Sequence, residues 1–133
     1  MSKNYDSLIK GGTLATHEGA EPVDIAIKDG QFAALDRFSD SEAGELADEV
    51  IDATGLTILP GVIDTQVHFR EPGLGAKEDL ESGSRAAVMG GVTAVFEMPN
   101  TKPPTTTAEA VAEKVALGQD RMHCDFAFYV GGT

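Results

Sequence analysis

The sequence predicts an α/β chain. A small β-sandwich-like module fills residues 1–59, and the first strands and helices of a (β/α)8 TIM-type barrel fill 60–133. Three observations predict this. The first sixty residues alternate short apolar runs with glycine turns. After Pro60–Gly61 the order becomes strand, helix, strand, helix, strand. The run Val92–Met98 is almost wholly apolar, the mark of a strand covered on both faces.

In the module, Tyr5–Lys10 reads as a strand closed by Gly11–Gly12. Val23–Ile27 alternates apolar with polar or small residues, the period of a half-buried strand. Asp29–Gly30 is a hairpin-turn signal, with Gln31–Leu35 returning. Ser39–Glu49 is acidic and poor in large apolar residues, so it reads as a solvated loop. Val50–Ala53 and Leu56–Leu59 flank Thr54–Gly55 and read as a further hairpin.

Beyond Pro60, Val62–Phe69 is a strand with polar residues at its end. Lys77–Met89 has helical spacing, with Leu80, Ala87 and Val88 available for one face, and Gly90–Gly91 stops it. Pro99–Pro104 is a loop, Ala108–Leu117 a helix behind Thr107, and Met122–Val130 a third strand. Alternation of this kind implies parallel strands joined by crossover helices. A closed barrel needs ~200 or more residues, so only part of one fits. The chain reads as a fragment, expected to be inactive alone and either to aggregate or to need its remainder.

The net charge of −12, from 22 acidic and 10 basic residues, opposes binding to nucleic acid and to anionic membranes. No apolar run reaches the ~18 residues of a membrane span, and the start Met1–Asp6 lacks the apolar stretch of a leader. One cysteine, Cys124, suits a reducing compartment, and the cytoplasm is the expected location. Its apolar neighbours make Cys124 a core residue rather than a nucleophile.

In a βα architecture, chemistry gathers at the carboxyl ends of the strands. The first end carries Gln66, His68 and Arg70, the second Glu97 and Asn100, and the third Tyr129. Residues 64, 66, 68 and 70 share a face if the strand runs that far. His68 has a ring nitrogen suited to zinc. Arg70 offers a planar fork of donors for a carboxylate, and Asn100 a donor and an acceptor. Each has a plainer reading in isolation: a hydrogen-bonded His, a surface Arg70–Glu71 pair, and an Asn that shapes a turn.

The stretch Leu59–Pro60–Gly61–Val62–Ile63–Asp64, followed by Val67–His68–Phe69–Arg70–Glu71–Pro72–Gly73, resembles the amidohydrolase superfamily, and within it the dihydroorotases. Glu78–Gly83, Gly90–Thr93 and Met98–Pro104 are similar to the same family, and Lys10–Thr13 with Ile51–Gly55 fit its amino-terminal module. The resemblance implies a zinc-dependent cyclic amidase with one or two ions per full-length subunit, the metal activating water for attack on a ring amide. It implies that Arg70 and Asn100 bind the carboxylate of a small anionic substrate, dihydroorotate, in pyrimidine biosynthesis. It also implies a homo-oligomer. A carboxylated lysine, two further His and a late catalytic Asp are expected beyond Thr133. Allantoinases usually have Asn where Arg70 stands, and hydantoinases typically lack the Arg-Glu-Pro-Gly run.

The family pattern on this strand is His-x-His, whereas this chain has Gln66–Val67–His68. An amide oxygen is a weaker zinc donor than imidazole. His68 is therefore the expected ligand, and Gln66 a weak ligand or none. Three readings follow: a dihydroorotase, another cyclic amidase such as an allantoinase, or a non-catalytic relative serving as a partner of aspartate transcarbamoylase.

Overall fold

A computed structural model describes residues 3–132. Met1, Ser2 and Thr133, the outer ends of the two expected segments, lie outside the described residues. The chain divides into two units, the first ending at Pro60 and the second beginning at Gly61.

In the first unit, β1 (Tyr5–Lys10), β4 (Asp24–Lys28), β5 (Gln31–Asp36) and β6 (Ala47–Asp52) form one sheet in the order β5-β4-β1-β6. A second sheet holds β2 (Thr13–Thr16), β3 (Gly19–Pro22) and β7 (Thr57–Ile58) in the order β3-β2-β7. The turn between β4 and β5 is Asp29–Gly30, both left-handed at φ 52° and 71°. That backbone matches the twist of the strands it joins.

Two expectations fail here. Val50–Ala53 and Leu56–Leu59 are not a hairpin, because β6 pairs in parallel with β1 while β7 pairs in parallel with β2. Two chain segments thus change sheets side by side, and Ala53 N donates to Lys10 O while Thr13 N donates to Leu56 O. Gly11 and Gly12 permit the close passage. A Cβ on Gly11 would stand 2.7 Å from Thr54 Oγ1, and one on Gly12 2.5 Å from Ile58 Cδ1.

The acidic stretch 39–49 is not a loop either. It forms α1 (Asp40–Leu46), then enters β6. Ser39 and Glu42 make a reciprocal capping box at its start. Ala43 and Ala47 bury against Leu8 and Ala26, which gives this polar helix its place. Tyr5 and Phe38 pack edge to face beside them, ring centres 5.9 Å apart.

Asp24 organises the same unit from inside, at 2% exposure. It accepts from Gly11 N at 2.8 Å and Phe38 N at 2.9 Å. Burial pushes its carboxyl up, but these two N–H groups with Lys10 outweigh that and hold it below the usual carboxylate range. Elsewhere in the unit Phe32, Leu35 and Leu59 stand open, and a shallow apolar hollow of about 380 Å³ runs between them.

In the second unit β8 (Val62–Val67), β9 (Val92–Glu97) and β10 (Asp125–Phe128) form a parallel sheet in the order β10-β9-β8. The crossovers are α2 (Leu80–Met89) and α3 (Ala108–Gly118). Asp79 caps α2 and pairs reciprocally with Ser82, and the Thr107 hydroxyl caps α3 through Ala110 N. The buried face of α2 is Leu80, Gly83 and Ser84, with Ala87 half-buried; Val88, expected on that face, is 42% exposed. Gly83 is the contact point with Phe69, since any Cβ there would collide with the ring. Phe69, Leu80 and Val95 form the core, joined by Val67, Leu117, Cys124 and Phe126. Cys124 is half-buried, and burial followed by the charge of Asp125 pushes its thiol up, away from nucleophilic character. Among the described residues no helix is long and apolar enough to cross a membrane.

Candidate active site

The carboxyl ends of the three parallel strands converge on one hollow of about 390 Å³. Thr65 and Gln66 line it from β8, Met98 and Pro99 from beyond β9, and Tyr129 and Val130 from beyond β10. Gln66 is exposed on this wall, and its backbone N–H donates to Asp64 Oδ1 at 2.9 Å.

His68 lies one residue past β8, because the strand ends at Val67 and does not run on to residue 70. Its Nδ1 is 2.8 Å from Asn100 Oδ1. An amide oxygen only accepts, so in this pairing the His68 Nδ1–H is the donor, which directs Nε2 away from Asn100. Asn100 is thus engaged with His68 and does more than shape a turn.

Arg70 does not share a flat strand face with Gln66 and His68. Its φ is +67°, a left-handed conformation rare for a residue with a side chain. Among the described residues its guanidinium has no ion-pair or hydrogen-bond partner, and the expected surface pair with Glu71 is absent. Glu71 instead grips Arg121, Oε1 to Nη1 and Oε2 to Nη2 at 3.0 Å each, and Oε2 also accepts from Leu80 N. The Arg121 hydrogen bonds hold the Glu71 carboxyl below the usual range. Arg121 Nη1 also donates to Leu117 O at 3.2 Å. One carboxylate therefore joins the loop after β8 to the start of α2 and the end of α3.

The loop after β9 is equally fixed. Thr101 N and Thr105 N both donate to Pro99 O at 2.9 Å, and the Thr101 and Thr105 hydroxyls meet at 3.3 Å, both residues buried. Lys102 N donates to Pro72 O at 3.0 Å, so this loop is tied to the turn that carries Arg70. Gly73 permits the approach: with φ +86° it has no room for a Cβ against the Lys102 backbone.

Sequence reasoning placed Glu97 at a strand end but missed its partner. Lys114 Nζ lies 2.6 Å from Glu97 Oε2, and each side chain is 1% exposed. At that distance the contact is a charge-assisted one between two buried groups. Burial pushes the Glu97 carboxyl above the usual range, with Lys114, Phe69 N–H and His68 pulling the other way. Lys114 also sits 5.0 Å from the centre of the Phe128 ring. The available signal was a lysine amid Val111, Val115 and Leu117, where a solvated charge is out of place.

The donor set bears on the zinc expected from the resemblance. Among the described residues no three His, Cys, Asp or Glu side chains gather around a point. Gln66 lines the hollow and offers a neutral amide, and His68, two residues on, offers one imidazole nitrogen. These fit a metal as one arm of a site, with the remaining ligands supplied from elsewhere. His123, the other histidine of this unit, is hydrogen-bonded to Glu81 at 3.0 Å at the entry of β10, the opposite end of the sheet.

Comparison with known proteins gives the family of the chain. A family model described as the amidohydrolase family matches residues 57–130. The chain is 39% identical over 132 residues to an allantoinase of Bacillus licheniformis, covering 96% of this chain and 28% of that protein. It is 41% identical over 110 residues to a dihydroorotase of Methanothermobacter thermautotrophicus, covering 82% of this chain and 24% of that protein. Among solved structures it is similar to the L-hydantoinase of Arthrobacter aurescens, with TM-score 0.86 and 37% identity over 97% of this chain and 28% of that one. The chain spans about a quarter of the length of these relatives.

Proposed function

The chain belongs to the amidohydrolase family, and from that premise we propose that the full-length protein hydrolyses the ring amide of a cyclic ureide, allantoin foremost, within a completed (β/α)8 barrel. One observation carries the reading: three parallel strand ends converge on a hollow lined by Gln66, and His68, two residues on, is held by Asn100. The choice of allantoin rests on the relatives, among which allantoinase is the commonest name.

In this reading Gln66 and Tyr129 bound the ring from two sides, and the Asn100 amide N–H₂ donates to a ring oxygen. His68 holds one arm of a zinc ion. When bound, the metal supplies Lewis acidity that polarises the amide carbonyl. The buried Glu97–Lys114 pair lies behind the wall and keeps β9 and α3 in register there.

A second reading, dihydroorotate, has its own support in Arg70. A guanidinium with no ion-pair or hydrogen-bond partner among the described residues, four positions past Gln66, is the fork that a substrate carboxylate needs. The two readings separate by assay. Full-length protein is offered allantoin, a 5-substituted hydantoin and dihydroorotate, alongside Arg70→Ala. Allantoin as the best substrate, with kcat/KM changed less than about threefold by Arg70→Ala, supports the first. A charge-assisted contact is worth about 1.5–3 kcal/mol. Arg70→Ala should then cut dihydroorotate turnover about 10- to 150-fold if the second holds. A full-length protein that opens none of the three and takes up no zinc leaves only the non-catalytic reading, as a partner of aspartate transcarbamoylase.

A further inference from the structure

Resting on the reading of His68 as a metal ligand, we infer that Asn100 is a positioning residue for that ligand: it fixes the tautomer and the direction of the His68 ring. The resemblance gave Asn100 to the substrate carboxylate. The geometry gives its oxygen to His68, at 2.8 Å from Nδ1. An imidazole held by a hydrogen bond at one nitrogen presents the other as a defined donor, and such outer partners typically contribute 10- to 100-fold in metal affinity. The loop that presents Asn100 has the rigidity this role requires. Its backbone is pinned by Thr101 and Thr105 on Pro99 O, by the buried pair of threonine hydroxyls, and by Lys102 N on Pro72 O. Gly73 lets that last contact form. The side chain's two ends are then divided. Oδ1 faces His68, and the N–H₂ group makes no hydrogen bond among the described residues. Gln66 makes this support more consequential, because a weak neighbouring donor leaves His68 as the principal anchor on this strand.

The test uses full-length protein and zinc alone, with no substrate. Zinc affinity is measured by competition with a chromophoric chelator for wild type, Asn100→Ala and Asn100→Asp. The His68 tautomer is read in metal-free protein from a long-range proton–nitrogen spectrum with labelled histidine, assigned by the signal missing in His68→Gln. The inference expects Nδ1–H at His68 in wild type, a shift away from it in Asn100→Ala, and zinc affinity 10- to 100-fold lower in that variant. Asn100→Asp keeps an acceptor for Nδ1–H and should hold wild-type affinity within about threefold or exceed it. Asn100 is exposed, so both variants should fold, which circular dichroism checks. Wild-type affinity in Asn100→Ala, equal losses in Ala and Asp, an Nε2–H tautomer in wild type, or wild type that binds no zinc each overturns it. Zinc binding with the expected losses but no ring opening leaves this inference standing and removes the functional reading alone.

Discussion

Replacing Lys114 by Met strips Glu97 of the ammonium beside it while keeping the apolar stem against Phe128. Two charges 2.6 Å apart attract by about 6 kcal/mol at an effective dielectric of ~20. Burying each ion costs several kcal/mol, so the intact pair contributes little net stability. The variant is different, because Glu97 stays buried without its lysine. Its escape is to take up a proton. For a carboxyl of ordinary acidity that costs about 3.7 kcal/mol at pH 7 and about 1 kcal/mol at pH 5, at roughly 1.4 kcal/mol per pH unit. The sign follows from linkage. Burial already raises the Glu97 carboxyl, and losing Lys114 raises it further. The folded state then holds a proton that the unfolded state releases, so stability is present at low pH and lost as pH rises. Lys114→Met should therefore destabilise β9 and β10 by about 3–4 kcal/mol at pH 7 and about 1 kcal/mol at pH 5. Amide exchange on peptides covering 92–97 and 125–128 of the full-length protein reads this locally. Adding Glu97→Met should recover most of the loss, since a buried pair replaced by apolar residues is often neutral. Equal losses at the two pH values, or no recovery in the double variant, would refute the reasoning.

Gly83→Ala drives a methyl into the Phe69 ring and should cost about 1–3 kcal/mol, read as faster exchange across α2 and weaker zinc binding at the adjacent His68. Gly75→Ala, with nothing within 4 Å, is the control and should do neither. Asp24→Ala leaves two part-buried N–H groups without their acceptor and should destabilise the first unit by about 1.5–3 kcal/mol at pH 7. Because the Asp24 carboxyl is held low, its contribution is present above the unfolded carboxyl's titration and fades as pH falls through the folded one. The variant's deficit should thus shrink in acid, as measured by urea unfolding at pH 7 and pH 3.

What the sequence revealed was local, and what it concealed was paired at a distance. β1 was readable to its ends, and Asp29–Gly30 marked the turn between β4 and β5, because both depend on neighbouring residues. The alternation after Pro60 implied the parallel order β10-β9-β8, since crossover helices leave few other arrangements. The 39–49 stretch misled through its acidity; its legible signal was Ser39 three residues before Glu42. The supposed hairpin at Thr54–Gly55 misled because the strands beside it pair with β1 and β2, some forty residues earlier. At the site, residue types and strand ends were visible, whereas the left-handed Arg70 was not. Nor was the Glu71 grip on Arg121, fifty residues on, or the burial of Lys114. Each of these comes from packing that no local pattern encodes.

Ring opening by the full-length protein, followed before and after removal of its metal, tests most directly whether this strand end serves a metal-dependent cyclic amidase. Zinc-loaded protein should open allantoin, or dihydroorotate if Arg70 holds a carboxylate, with turnover lost on chelation and restored by zinc. Zinc-loaded protein that opens no cyclic amide, or turnover that survives complete chelation, would contradict it.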